Sequence, residues 1–194
     1  MGKINGVVKD FKGKVIEDAE VLFVDRSFNV ISSGYSNEEG EYYLQVDEKT
    51  NGTVVGTHSY GEDYLAFSFC NVSTHMPHHI DIRIGNVEFL QFKREITKER
   101  DDYTCTFQIA SLYRMIDGEK HISPRLDETS FSVMLDDESL ENYKMEKVEM
   151  LIEEKGISLD SYRLSFKSDI HDRGKVLTLL YKENNSYGIL KCFV

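Results

Sequence analysis

The 194-residue chain has no tryptophan, only two prolines and only three cysteines. With Pro77 and Pro124 the sole prolines, turns must come mostly from Gly, Asn and Asp. Cys70, Cys105 and Cys192 are odd in number, widely spaced and each set in an apolar, strand-like stretch. That speaks against a disulfide framework and suits buried free thiols in a reducing cytosol. Long apolar runs are lacking too, and none approaches the ~20 residues of a membrane-spanning helix. The opening MGKINGVVKD has no apolar core of the signal-peptide kind. Position 6 is Gly where an N-myristoylation motif carries Ser or Thr. The reading is cytoplasmic, or extracellular for a chain from which a signal peptide has been removed. Clustered positive charge is the last absence. The net charge is −11, with residues 1–85 carrying −6 and the remainder −5. Phosphate backbones and anionic membranes are held by clustered cations, so neither nucleic acid nor membrane is expected as a partner.

What the chain has is aromatic and β-branched residues, with 11 Tyr and 11 Phe. These pack well on a pleated surface. Period-two alternation runs throughout. Ile4, Gly6 and Val8 share a face, Tyr42, Leu44 and Val46 oppose Tyr43 and Gln45, and Ile80, Ile82 and Ile84 alternate with Asp81 and Arg83. Alternation of this kind means strands with one face buried and one wet. Turn signals at Gly13, Gly40, Asn51-Gly52, Gly61 and Gly85-Asn86 separate them. Strands are expected at 3–9, 19–25, 30–36, 41–47, 53–60, 64–72 and 78–84. A second set follows at 87–96, 103–111, 130–136, 143–153, 161–167, 175–182 and 187–193. The stretch SLENYKMEKVEMLIEEKG also reads as a helix from Ser139 to Gly156. As a strand it needs a bulge between Met145 and Val148, and strand is preferred because its neighbours are strands. The fold class is all-β, with two consecutive β-sandwich domains at 1–85 and 86–194 and almost no linker at Asn86. The second is read as Ig-like. Its last strand, YGILKCFV, reads as an apolar sheet edge.

The first half carries Gly6-Val7-Val8-Lys9-Asp10, then Gly13-Lys14-Val15-Ile16-Glu17-Asp18-Ala19-Glu20-Val21, then Ser36-Asn37-Glu38-Glu39-Gly40-Glu41-Tyr42-Tyr43-Leu44. This resembles the carboxypeptidase regulatory-like family, whose modules have a transthyretin-like (prealbumin-like) sandwich. The likeness covers residues 4–46 and extends to about 85, while Val15 stands where the family has Pro and Asp18 where it has Gly. What the resemblance implies is a transthyretin-like fold for residues 4–85 and a non-catalytic accessory role. It implies no chemistry.

Three groups of residues are candidate sites. His75, His78 and His79 fall within five residues around Pro77. They could contribute imidazoles to a divalent metal site, completed by His58, His121 or Asp81, or form a plain polar loop. Arg114, His121 and Arg125 lie in the long connection 112–129 and could take a carboxylate, a phosphate or sugar hydroxyls. The alternative is a loop whose own Asp and Glu neutralise them. Tyr60 and Tyr64 flank a turn and could stack on a sugar or seal an interface. No Gly-x-Ser-x-Gly elbow, phosphate-cradling Gly-rich loop or His-x-x-Glu pair occurs. The expected function is therefore a non-catalytic binding or interaction protein, such as an accessory subunit of a cytosolic enzyme, with a protein partner or its own copies. Carbohydrate or small-acid binding through 112–129 is the alternative. A metal-dependent enzyme using the histidines is the second alternative, and otherwise no cofactor is expected.

Overall fold

A computed structural model describes residues 2–47, 49–95, 102–152, 156–168, 172 and 174–194. The first half builds β1 (Gly2–Asp10), β2 (Glu20–Val24), β3 (Val30–Tyr35), β4 (Glu41–Val46), β5 (Asn51–Thr57), β6 (Phe67–Ser73), β7 (His78–His79) and β8 (Ile82–Ile84). The second builds β9 (Val87–Glu95), β10 (Asp102–Ser111), the single helix turn α1 (Leu112–Ile116), β11 (Phe131–Leu135), β12 (Glu138–Ser139), β13 (Tyr143–Ile152), β14 (Ser158–Lys167), β15 (Val176–Glu183) and β16 (Ser186–Phe193). The protein is all-β, built as two sandwiches, and alternation placed the strands within a few residues. One expected strand is broken. At 78–84 the chain leaves the ladder at Ile80-Asp81, where Val7 N–H donates to Asp81 Oδ1 (3.0 Å) and Tyr42 O–H donates to Ile80 O (2.7 Å). Side chains there replace ladder bonds, so β7 and β8 pair with β1 separately. The ambiguous stretch is strand β13, and its register against β14 shifts between Lys147 and Glu149, the bulge that the strand reading requires.

There are two main hydrophobic cores. Ile4, Phe23, Leu44, Phe67 and Ile82 belong to one, and Phe89, Phe107, Leu164, Leu179 and Leu190 to the other. What holds them together is a shared sheet. The order β12-β11-β15-β16-β6-β5-β2-β3 runs unbroken through both halves, joined by parallel pairing of β6 with β16. The expectation that the C-terminal strand is an edge is thus corrected, because β16 lies between β15 and β6. Its apolar residues reflect burial inside a sheet.

The register at this seam decides the shape of the molecule. Leu190 pairs with Ser68, Lys191 with Phe69 and Cys192 with Cys70. Paired residues share a face and successive residues alternate. Phe67 and Phe69 point into the first core, whereas Leu190 and Cys192 point into the second. The two cores therefore lie on opposite faces of one sheet. The small sheet of β4, β1, β7 and β8 covers one face at one end. The sheet β13-β14-β10-β9 covers the other face at the other end. This offset leaves an uncovered stretch of the large sheet beside each small sheet, and each is a cleft.

The crossing between halves is tight. A Cβ on Gly85 would sit 2.1 Å from Tyr187 O, and one on Gly188 would sit 2.3 Å from Val87 O. Asn86 at the boundary uses its whole side chain. Tyr187 N–H donates to Oδ1 (2.8 Å) and Nδ2 donates to Asn185 O (3.0 Å). Phe11 stacks on Tyr187 with ring centroids 5.2 Å apart.

Candidate functional site

The first cleft runs along the uncovered face of β15 and β16. Its floor is a grid of cross-strand pairs, Thr178 with Lys191, Leu180 with Ile189, and Lys182 with Tyr187. The edge of β8 supplies one wall with Asp81 and Arg83, and Met134 and Asp137 supply the other, enclosing about 480 Å³. An adjoining cavity of about 370 Å³ shares Asp137 and Lys191 and continues past His78, His79, Val176 and Phe193. From Tyr187 to Phe193 the floor spans roughly 20 Å at the usual rise of a strand.

Both charge signs face this groove. Among the described residues Arg83, Lys182 and Lys191 enter no ion pair. The Thr178 hydroxyl on the floor is buried with no hydrogen-bond partner, a group that an incoming ligand atom can satisfy. The tips are fixed locally. The β11–β12 hairpin turns through Asp136 and Asp137, both at left-handed φ (50° and 66°), and Val176 N–H donates to Asp136 Oδ1 (2.8 Å).

The expected site residues fall in three places. His78 and His79 line the groove, but as wall residues. His78 Nε2 lies 2.6 Å from Ser73 O with its ring against Phe193, and His79 Nε2 lies 3.2 Å from Asp81 Oδ1. His75 is exposed in the preceding turn. Among the described residues no group of three His, Cys, Asp or Glu side chains is placed to hold a metal ion. The structure does not bring His75, His78 and His79 together as a three-ligand group. Parallel pairing with β1 turns successive imidazoles to opposite sides.

The connection 112–129 is tied to itself. Arg114 Nη1 donates to Glu119 Oε2 (2.6 Å) and to His121 O (3.2 Å), and Arg125 faces Asp127 at 3.7 Å. His121 places Nδ1 3.1 Å from Ser158 Oγ and Nε2 3.4 Å from Asp160 Oδ2. The buried Asp160 is held by Lys147 Nζ at 2.7 Å and by the Tyr162 O–H, while its own N–H donates to Ser123 Oγ. This buried charge is paired and hydrogen-bonded, and it pins the loop to β14. The Ser158 hydroxyl also reaches Lys120 O at 3.3 Å, so it shares in the same fastening.

Tyr60 and Tyr64 lie at the junction of the halves. Tyr60 O–H donates to Glu88 Oε2 across it (2.9 Å), and Tyr64 packs half-buried on the first core. Burial pushes the Glu88 carboxyl up to about 7, while the Tyr60 bond pulls it the other way. The groove residues Thr178, Lys182, Lys191 and Arg83 were not legible as a site. Each reads in the sequence as the wet face of an ordinary strand, and only the distant pairing of β6 with β16 brings them beside β8.

No family model matches the chain, and no curated protein matches it. Among solved structures, BcpA, the major pilin subunit of Bacillus cereus, is similar at 10% identity with a TM-score of 0.31, covering 98% of this chain and 67% of that one. A variant of the same pilin gives the same values. The structure of Rst D1-D2 is similar at 8% identity with a TM-score of 0.30, covering 93% and 86%. At such TM-scores these likenesses carry no argument about what the chain does.

Proposed function

We propose that this protein is a non-catalytic interaction module, such as an accessory subunit of an enzyme, that holds an extended polypeptide segment of a partner in the groove over β15 and β16. The observation behind this reading is the groove itself. Its roughly 20 Å floor matches about six extended residues. Its pairs alternate polar, apolar and polar in character, as the side chains of an extended segment do. The orphan Thr178 hydroxyl and the unpaired Lys191 offer a donor and a charge to such a segment. Its floor is a hydrogen-bonded sheet, so little ordering has to accompany binding.

Selection from a displayed library of random linear peptides tests the reading, with the wild type and a Lys182→Glu plus Lys191→Glu variant as baits. Peptides that bind the wild type in the micromolar range, compete with one another and lose at least tenfold on the variant are expected. Enrichment of none, or of peptides that bind both baits equally, would overturn it.

A further inference from the structure

The second cleft lies on the opposite face of the large sheet, where β5 and β6 are uncovered beside β9. It encloses about 400 Å³ and is lined by Arg26, Asn51, Thr53, Cys70, Phe92, Lys93 and Arg94, among others. Two elements bring the cations to the cleft. Arg26 stands on the β2–β3 turn, which Asp25 ties by accepting from Ser27 N–H (2.8 Å) and Asn29 N–H (2.9 Å). Arg94 comes from β9 of the other half, on the face it shares with its partner Cys105, and is steadied by its guanidinium lying 4.8 Å from the centre of the Tyr103 ring, while the Lys93 side chain takes the opposite face with Thr106. Among the described residues the lining contains no carboxylate. Among the described residues neither Arg26 nor Arg94 enters an ion pair. In a chain of net charge −11, acids to neutralise them are plentiful. Their absence from this cleft leaves a local positive field at a concave surface, which focuses on anions.

We infer that this cleft is a binding site for a phosphoryl group, free or carried on a small organic molecule, clamped by Arg26 and Arg94. Two guanidinium forks match a dianion with three terminal oxygens better than a single carboxylate. Asn51 and Thr53 add polar groups at the rim, and Phe92 offers an apolar wall for the body of an ester. The thiols at the base do not compete. Burial pushes Cys70 up to about 12 and Cys192 up to about 11, so both are neutral at pH 7. The site stands independently of the peptide groove, since it lies on the other face and shares none of its lining.

Calorimetric titration of the full chain tests it, using inorganic phosphate, phenyl phosphate, succinate and chloride at matched ionic strength. Saturable binding of phosphate or phenyl phosphate is expected, at least about tenfold tighter than succinate. Arg26→Ala and Arg94→Ala, both exposed positions, should each weaken it about tenfold, since each removes a charge-assisted hydrogen bond, whereas Lys93→Ala, on the opposite face of β9, should not. Arg94→Lys keeps a cation but loses the fork and should weaken it less. Arg83→Ala, in the other groove, should leave it unchanged. A phenyl phosphate preference identifies an ester as the ligand, and equal affinities identify free phosphate. Absence of saturable binding, succinate binding as tightly as phosphate, or loss in Arg83→Ala equal to that in Arg26→Ala would overturn the inference.

Discussion

Glu88 is 8% exposed and holds its proton up to about pH 7 because water is largely excluded from its carboxyl. An acid whose folded value lies above its unfolded value of about 4.5 binds protons more tightly in the folded state. The stability it contributes is therefore fully present below pH 4.5 and is lost as pH rises to 7. The loss amounts to about 3 kcal/mol. Wild-type protein is expected to have a lower urea midpoint at pH 8 than at pH 5. Glu88→Gln, which still accepts from Tyr60, should abolish that difference, and urea titrations at the two pH values measure it. The glycines at the crossing give a second expectation. Because backbone carbonyls of Tyr187 and Val87 occupy the Cβ positions, Gly85→Ala and Gly188→Ala should each cost about 2 kcal/mol or more, read as a fall in Tm. A loss within about 0.5 kcal/mol, typical of an open surface position, would contradict the packing. In the sequence Gly85-Asn86 is legible as a turn. That Asn86 clamps the 185–187 turn is not, because its partners lie about a hundred positions downstream.

At the scale of elements, the strands were legible because half-buried strands write a period of two into the chain. The breaks were less so. Nothing local marks Ile80-Asp81 as the place where a carboxylate takes over from the ladder. The five-residue α1 spans less than two helical turns, too few for a 3.6-residue pattern to repeat. The β13 bulge was legible, because Tyr143 and Met145 change face relative to Val148. The two ends of the large sheet also differ. One closes with the short β12 beside Asp136, Asp137, Glu138 and Glu141, an edge guarded by like charge. The other closes with β3, whose Val30–Tyr35 carries no charge and exposes Val30, Ile31 and Tyr35. Unguarded edges pair with further strands. Concentration-dependent association is therefore expected, measured by light scattering. Ile31→Lys should suppress it while shifting Tm little, since Ile31 is already 45% exposed. Identical scattering by the two proteins would place the association elsewhere.

At the scale of the molecule, two sandwiches were legible, and their relation was not. Parallel pairing between Cys70 and Cys192 leaves no mark on either strand beyond an apolar pattern, which equally fits an edge. Both clefts arise from that pairing, which explains why the candidate residues found in the sequence lay on one groove wall, in a self-tied loop and at the junction. One sheet serving two cores also couples their unfolding. A single calorimetric transition is expected, with van't Hoff and calorimetric enthalpies equal. Two separated transitions would show the seam to be weak.

The same seam has a consequence during synthesis. β6 and β16 meet in register across 122 intervening steps of chain, from Cys70 to Cys192. At about 5–20 residues per second, a ribosome needs roughly 6–25 seconds to cover that distance. Through that interval the nascent first sandwich presents β6 as an apolar strand paired with β5 on one side and bare on the other. The chain is then open to misjoining with other nascent copies on the same polysome, and it is in this window that a chaperone would matter most.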